Sequence, residues 1–384
     1  MDGGGAGKVG ASGRGRTRAA QPEKGAGQRT RAGARAVIAA LVVTHNRPRA
    51  LSETLSRLLA EDLDRVTVVD NASTDATAEV LAEAARDPRV EVLTLGRNLG
   101  GAGGFEHGLR HVSATLDPDW VVVMDDDARP EPGAIAAFRH QLRAGAWDGW
   151  DAVAAAVRYP DGRICDMNRP SVNPFWHPRV FLRTAAGGGR AAFHLPDAAY
   201  DGPVRAIDGA SFVGLFLSRR AIALGGYPDG SLFIYGDDVL YTLGLSAAGG
   251  RIAFAPGIRF EHACSTFARG RKRHDPMWKV YYHHRNLLFV YRRAAGLWFW
   301  PVLLLILPKW LAKARHYDGP SRRRFLGLVG RAIRDGLLGR RGTPVGPPAA
   351  REAAIRAGER PKAPPKGKPK GKAKGKGKGP GKAP

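Results

Sequence analysis

The chain has 384 residues, of which 43% are hydrophobic, as is typical of a globular protein with one large or two ordinary domains. Its two cysteines, Cys165 and Cys264, are too few for a disulfide framework or a zinc site and favour a reduced cytoplasmic setting. No apolar segment follows the basic N-terminus within 30 residues, so no signal peptide is expected.

The net charge of +25 is concentrated at the two ends of the chain. Residues 1–36 carry eight Lys or Arg against two acidic residues, and residues 345–384 carry twelve against two. Both ends have little to bury, so we expect disordered basic tails at 1–36 and 342–384. Such tails attract an anionic membrane surface or another polyanion, or they only keep the protein soluble. No specific nucleic acid partner is expected.

Four apolar segments of strand length occur in the first third of the chain, at residues 37–43, 66–69, 90–95 and 119–124. Between them the apolar spacing is helical, around residues 51–59, at 76–86 and around Leu109 and Val112. Strands that are apolar on both faces are typical of a parallel sheet covered by helices. The alternation predicts an open α/β sheet with right-handed crossovers.

Each predicted strand ends in polar or glycine-rich residues, namely 44–46, Asp70, 98–104 and 125–127. Ligands of open α/β sheets lie beyond the carboxyl ends of the strands, so these segments should meet at one crevice. The segment 98–104 fits neither the dinucleotide fingerprint nor the P-loop. Its glycines allow either a close approach of the backbone to a ligand or a tight turn before a helix.

Three adjacent carboxylates, Asp125, Asp126 and Asp127, follow the fourth strand. Because like charges repel, the cluster favours a bound hard divalent cation whose shell is completed by phosphate oxygens. The alternative is a solvated acidic turn.

The second half of the chain has a looser pattern. It predicts a helix at 134–143, a strand at 152–157, a return to the sheet at 206–217 and a short helix at 221–226. Residues 160–206, which are rich in Pro, Gly and Arg, are expected to form an irregular excursion over the site.

Two further polar features follow. Asp237 and Asp238 begin an apolar helical pattern, where carboxylates stabilise a helix N-terminus or, alternatively, provide a general base. His262 ends a predicted strand. A lone histidine is more often structural, and it belongs to the site only if the fold returns it to the aspartates.

In combination, residues 42–44, 68–75, 98–105 and 124–127 resemble the inverting family 2 glycosyltransferases of GT-A fold. More narrowly, residues 98–105, 232–238 and 256–262 are similar to galactofuranosyltransferases that build cell-wall arabinogalactan. The resemblance covers residues 37–290. It implies a Rossmann-like open mixed sheet flanked by helices, and a hexosyltransferase activity.

The resemblance implies that Mn²⁺ or Mg²⁺ binds the donor diphosphate and is held by Asp125, Asp127 and His262. It also implies that further residues at the strand ends contact the nucleotide-sugar, namely Thr44, Asp70, Asn98, Gly100, Gly101 and Asp126. The metal would neutralise the charge that develops on the leaving diphosphate.

For the acceptor, the resemblance implies that Asp238 is the catalytic base and that Asp237 lies beside it in the binding site. One base without a covalent nucleophile gives direct displacement and inversion at C1. Polymerising galactofuranosyltransferases carry paired tryptophans near the acceptor, whereas residues 209–212 here contain none. An early-step transferase is therefore favoured over a processive polymerase.

The predicted function is thus transfer of a sugar to a polyprenyl-diphosphate-linked glycan. The favoured sugar is galactofuranose, with UDP-galactofuranose as the donor. One alternative is a rhamnosyltransferase that uses dTDP-rhamnose. Another is a non-catalytic GT-A scaffold that binds membrane or nucleic acid through its basic ends.

A glycosyltransferase domain is predicted at residues 37–275. A helical, membrane-associating region is predicted to follow at residues 276–341. Residues 297–308 are strongly apolar, but they are fewer than the ~20 that a spanning helix needs, and proline interrupts them. Apolar side chains recur every four residues among arginines from Phe325 to Leu337, as in an interfacial amphipathic helix. The alternative is a helical subdomain packed on the core or at a dimer interface. The expected location is cytoplasmic, peripheral on the inner face of the plasma membrane.

Overall fold

A nine-stranded mixed sheet organises the part of the chain that is described, residues 35–264 and 273–342 of a computed structural model. The predicted tails lie outside these residues except at their inner ends. The strands are β1 (Ile38–Thr44), β2 (Arg65–Asp70), β3 (Val90–Thr94), β4 (Trp120–Asp125), β5 (Ala128–Pro130), β6 (Ala152–Arg158), β7 (Arg205–Ile207), β8 (Leu215–Ser218) and β9 (Ile252–His262). Their order is β3-β2-β1-β4-β8-β6-β9-β5, and β7 also pairs with β9.

The α-helices cover both faces of the sheet, and the last of them follow the final strand along the chain. They are α1 (Pro48–Leu59), α2 (Thr77–Ala84), α3 (Gly100–Thr115), α4 (Ala134–Arg143), α5 (Pro178–Arg183), α6 (Arg219–Gly225), α7 (Asp237–Ala247), α8 (Lys279–Ala295), α9 (Phe299–Ala312) and α10 (Gly319–Leu337). Two buried apolar clusters lie on the two sides of β1, one containing Val42 and Leu55 and the other Leu41 and Leu109. The predicted open α/β sheet is confirmed.

Strands β1 to β4 form the parallel half of the sheet. Every residue of β1 is buried, which explains its uninterrupted apolar sequence. Because the four strands are parallel, their carboxyl ends lie along the same edge. Strand β8 is antiparallel to both β4 and β6, so the sheet is mixed from this point.

The glycine-rich segment is helical rather than a loop, because α3 begins at Gly100. A Cβ atom added at Gly104 would lie 2.4 Å from Cγ1 of Val43, and one at Gly108 would lie 2.5 Å from Leu41 Cδ1. The glycines therefore let α3 pack closely on β1, which places the start of this helix at the crevice.

The C-terminal helices begin with α8, whose buried polar side chains join it to the segment before α7. Arg285 and Asn286 are buried and donate hydrogen bonds to backbone carbonyls before α7. Arg285 Nη2 lies 3.0 Å from Leu232 O, and Asn286 Nδ2 lies 2.9 Å from Ile234 O and 2.8 Å from Tyr235 O.

Helix α10 buries the apolar face that its sequence pattern displays. Phe325 and Val329 are fully buried with Val280 of α8. The apolar side chains of this helix are therefore covered by α8, as the alternative of a packed helical subdomain requires.

Helix α9 has the opposite character, since several large apolar side chains on and before it face solvent. Leu297 is 97% exposed, Leu304 74% and Leu305 68%. The helix continues through Pro308, contrary to the expected interruption. Its 14 residues span about 21 Å, which is less than the hydrocarbon core of a bilayer.

Candidate active site

The acidic end of β4 lies beside His262, which ends the more distant strand β9. Carboxylate oxygens of Asp125 and Asp127 and a ring nitrogen of His262 all lie within 4.8 Å of one another. Asp127 and His262 are buried, and Asp125 is partly exposed. The predicted metal ligands are therefore brought together.

A short strand explains how His262 reaches this position. Residues 128–130 form β5, which pairs antiparallel with β9 and places Ala128 opposite His262. The residue before Ala128 is Asp127, so the pairing fixes the distance between carboxylate and imidazole. His262 Nε2 lies 3.1 Å from Asp127 Oδ1.

The other ring nitrogen of His262 faces an amide. Its Nδ1 lies 2.7 Å from Oδ1 of Asn168, whose Nδ2 donates to Ser211 Oγ at 2.8 Å. An amide oxygen next to Nδ1 requires a proton on that nitrogen, so Nε2, which hydrogen-bonds Asp127, is the nitrogen left to bind a metal. Asn168 therefore orients the imidazole as partners of metal-bound histidines do.

An arginine just after β1 neutralises part of the acidic cluster. Arg47 Nη1 lies 2.8 Å from Asp126 Oδ1, and its Nη2 lies 2.7 Å from Asp127 Oδ2. Thr44 donates from Oγ1 to Asp126 Oδ2 at 2.8 Å. Asp126 is thus buried and held by the end of β1, which agrees with a supporting role for the loop.

Asp125 is the carboxylate that the described residues leave unpaired, since none of them hydrogen-bonds its side chain. Burial, with the neighbouring charge of Asp127, raises the pKa of Asp125 to about 7. A partly buried carboxylate without a partner is costly, and a cation beside it would offset that cost. Two carboxylates and one imidazole also suit a divalent ion such as Mn²⁺, so these residues fit a bound metal.

A second pair of carboxylates begins α7. Asp237 is buried and Asp238 partly buried, and the charge of Asp238 contributes to the raised pKa of Asp125, so Asp238 lies near the metal ligands. Burial raises the pKa of Asp238 to about 6, against backbone hydrogen bonds from Val239 and Phe212 that lower it. Burial and the adjacent Asp238 hold the pKa of Asp237 well above its usual value.

The residues predicted to contact the donor nucleotide lie along the same edge. Asp70 ends β2, and its Oδ1 accepts a hydrogen bond from the backbone N–H three residues on, at 2.9 Å. Asn98 Oδ1 accepts from Gly100 N at 2.8 Å. Asn71 adds a bridge between β2 and α3, because its Nδ2 donates to Gly100 O at 2.8 Å.

The two glycines of the predicted donor site differ in their surroundings. Gly100 has φ +72°, and a Cβ there would lie 2.0 Å from Phe233 O, so only glycine fits. Gly101 has no heavy atom within 4 Å of the same position. Their contacts with a donor stay predictions.

Arg47 and Asn168 are site residues that the sequence patterns did not single out. Arg47 carried a weak signal, since it directly follows a strand end and precedes a helix-starting proline. Asn168 lies in the irregular segment 160–206, where no periodicity marks a position.

The two cysteines also meet at this edge, which their number alone did not indicate. Sγ of Cys165, Sγ of Cys264 and a nitrogen of His262 lie within 4.8 Å of one another and form a second possible metal group. Cys165 faces Nδ1 of His262 at 3.9 Å, whereas the aspartates face Nε2. The two groups therefore use different nitrogens of one imidazole.

Comparison with known proteins agrees with this geometry. Residues 39–172 match the family described as Glycosyl transferase family 2, which identifies a family 2 glycosyltransferase domain in this part of the chain. Galactofuranosyltransferase GlfT1 of Mycolicibacterium smegmatis is 26% identical over 324 residues, which are 79% of this chain and 97% of that protein. Galactofuranosyltransferase GlfT1 of Mycobacterium tuberculosis is 30% identical over 214 residues, 52% of this chain and 61% of that protein.

Solved structures with related chain folds include two glycosyltransferase complexes. S. aureus TarS 1-349 in complex with UDP-GlcNAc has a TM-score of 0.47 at 14% identity, with 78% of this chain and 81% of that chain covered. Mannosyltransferase PcManGT from Pyrobaculum calidifontis, in complex with GDP-Man and Mn²⁺, has a TM-score of 0.45 at 18% identity, with 85% and 81% covered.

Proposed function

We propose that the chain is a metal-dependent, inverting galactofuranosyltransferase that acts on a lipid-linked cell-wall glycan. The observation that carries the proposal is the convergence of Asp125, Asp127 and His262 Nε2 near Asp238. The similarity to two galactofuranosyltransferases supports the choice of UDP-galactofuranose as donor.

The donor half of the site comprises the metal group and the ends of β1 to β3. Asp125, Asp127 and His262 would hold Mn²⁺ or Mg²⁺, which supplies positive charge to the departing diphosphate. Asp70 and Thr44 lie at the neighbouring strand ends, where they are proposed to contact the nucleotide, with Asn98 and the start of α3 along the sugar. Arg47 keeps Asp126 and Asp127 in place by two hydrogen bonds.

The acceptor half is proposed to be served by Asp238. An acceptor hydroxyl forms its bond to C1 of the sugar as the bond from C1 to the diphosphate breaks, and its proton passes to the Asp238 carboxylate. A pKa of about 6 leaves this carboxylate ionised at neutral pH and more basic than an ordinary aspartate, which suits a general base. No side chain forms a covalent sugar adduct in this scheme, so the configuration at C1 inverts.

The residues beside Asp238 favour a single early transfer over polymerisation. The backbone of Phe212 lies close enough to Asp238 to lower the pKa of its carboxyl, so the stretch 209–212 borders the base. Phe212 is itself buried and packs edge-on against Phe105 and Tyr241. This stretch therefore offers a growing glycan no exposed aromatic platform to slide along.

Association with a membrane is proposed to occur through α9. The helical stretch Lys279–His316 is long and apolar enough to cross a membrane by length and composition, but it bends at Gly296, where φ is +53°. Its first part is packed on the catalytic fold, and the exposed apolar side chains of the rest suit insertion into one leaflet. Nearby Arg and Lys side chains suit the anionic inner leaflet.

A donor panel tests the proposal. Purified protein would be incubated with a lipid-linked acceptor, Mn²⁺ or EDTA, and UDP-galactofuranose, UDP-galactopyranose or dTDP-rhamnose, and the product mass would be determined. We expect metal-dependent transfer of one galactofuranose residue. Transfer of rhamnose instead would refute the donor assignment, and undiminished transfer in EDTA would refute the metal role.

A further inference from the structure

A cavity of about 510 Å³ lies on the flank of α7. Asp237 lines it, together with Leu240, Tyr241 and Gly244, which recur at the spacing of one helix face. Neither Asp238 nor any of the three predicted metal ligands lines it. The cavity is thus next to the pair Asp237 and Asp238 but separate from the proposed metal site.

The charge of this cavity is positive. Arg292 and Arg293 from the last turn of α8 line it together with Arg341, while Asp229 and Asp237 are its carboxyl groups. Asp229 forms an ion pair with Arg341. Even with both carboxyl groups ionised, the three arginines leave a net positive charge. Arg292 and Arg293 form no ion pair with the described residues, so their guanidinium groups remain for an anion.

A buried hydroxyl also faces this space. Tyr241 lines the cavity and is 6% exposed, yet its hydroxyl has no hydrogen-bond partner among the described residues. A buried polar group normally has a partner, so an unpaired one at a cavity wall points to a ligand. A phenol can donate to a phosphate oxygen.

The position of the cavity relates the base to the exposed apolar surface. On α8, Asn286 hydrogen-bonds the carbonyls just before Asp237. Arg292 and Arg293 follow about two turns later on the same helix. The exposed Leu297 then begins the apolar segment. Helix α8 therefore runs from the segment that precedes Asp237, past the two arginines, to the start of the exposed apolar segment.

We infer that this cavity binds the diphosphate of the lipid-linked acceptor, with the glycan directed to Asp238 and the hydrocarbon chain to α9. Arg292 and Arg293 would each donate charge-assisted hydrogen bonds to phosphate oxygens. The inference rests on the proposed function for the nature of the acceptor. The lining arginines and the Tyr241 hydroxyl supply the chemistry that recognises phosphate, and the exposed apolar segment after α8 suits an apolar tail.

Calorimetric titration in EDTA tests the inference without the metal site. The probes are farnesyl diphosphate, inorganic pyrophosphate and farnesol. The variants are the double substitution Arg292→Gln with Arg293→Gln, Tyr241→Phe, and the control Arg143→Gln, an exposed arginine of α4 outside the cavity. We expect farnesyl diphosphate to bind at least about tenfold more weakly to the double variant and a few-fold more weakly to Tyr241→Phe. The control should bind like the wild type.

Two results would overturn the inference. One is equal affinity of farnesyl diphosphate for the wild type and the double variant when both show the same circular dichroism and thermal unfolding. The other is an equally strong, arginine-dependent affinity for pyrophosphate, which would identify a site for free phosphate compounds instead of a lipid. Since no probe contains galactofuranose, a failure of the donor assignment leaves this test unaffected.

Steady-state kinetics provide an independent test. In the double variant, KM for the lipid-linked acceptor should rise at least about tenfold, while hydrolysis of the donor without acceptor stays at the wild-type rate. Loss of donor hydrolysis as well would show general damage and contradict a role confined to the acceptor. Asp229→Asn removes a carboxylate from the cavity and should lower this KM.

Discussion

Asn168→Ala tests whether the imidazole of His262 is prepared for a metal. The substitution removes the acceptor that lies 2.7 Å from Nδ1 and leaves that buried N–H only the weaker contact with Cys165 Sγ at 3.9 Å. The ring would then be held less firmly with Nε2 towards Asp127. Removal of such a partner from a metal-bound histidine typically costs about 10–100-fold in metal affinity, equivalent to roughly 1.4–2.7 kcal/mol.

The assay is donor hydrolysis as a function of Mn²⁺ concentration. The half-saturating concentration should rise about 10–100-fold, while the rate at saturating Mn²⁺ stays within a few-fold of the wild type. Ser211→Ala is the matched control, because it removes another hydrogen-bond partner of Asn168 and leaves the contact with His262 intact. An unchanged Mn²⁺ requirement in Asn168→Ala would refute the view that Nε2 is a metal ligand oriented by this amide.

The remaining predictions concern the base, the packing of α3 and the apolar helix. Asp238→Asn should abolish transfer and preserve metal-dependent donor binding by calorimetry; full activity would exclude Asp238 as the base. In the wild type, kcat should fall as the pH drops through about 6, because protonation of Asp238 removes the base; a flat profile from pH 5 to 8 would contradict this. Gly104→Ala should lower the free energy of unfolding by about 1–3 kcal/mol through overpacking, measured in urea, whereas Gly101→Ala, which has open space, should not destabilise the fold. Leu304→Glu with Leu305→Glu should move the protein from membranes to the soluble fraction, and continued sedimentation with vesicles would exclude α9 as the contact.

The sequence predicted the parallel half of the sheet well because its strands are rich in apolar residues, without interruption in the first six residues of β1 and the first five of β4. Burial on both faces imposes that composition, so the end of β4, and with it the position of Asp125, could be predicted from the sequence. The position of His262 depends instead on β5, three residues long and ending in Pro130. So short a strand has no periodicity, and its pairing with β9 is a long-range contact that no local pattern encodes.

Local patterns also proved ambiguous where packing decides the structure. The glycines of segment 98–104 were expected to allow a close approach to a ligand or a tight turn before a helix, whereas from Gly100 onwards they lie inside α3 and allow it to approach β1 closely. The apolar stripe from Phe325 to Leu337 correctly predicted an amphipathic helix. Periodicity identifies the apolar face and cannot say whether a neighbouring helix or a lipid covers it. The individual roles of the site residues and the division at residue 275 stay predictions.

The buried Arg285 has a practical consequence for anyone who wishes to work with a soluble form. This side chain and Asn286 hold the backbone just ahead of Asp237 through hydrogen bonds to its carbonyls. A truncation that ends before α8 would remove these supports along with the apolar helix. Solubility is therefore better sought by charge substitutions on α9, which leave the scaffold behind the catalytic pair complete.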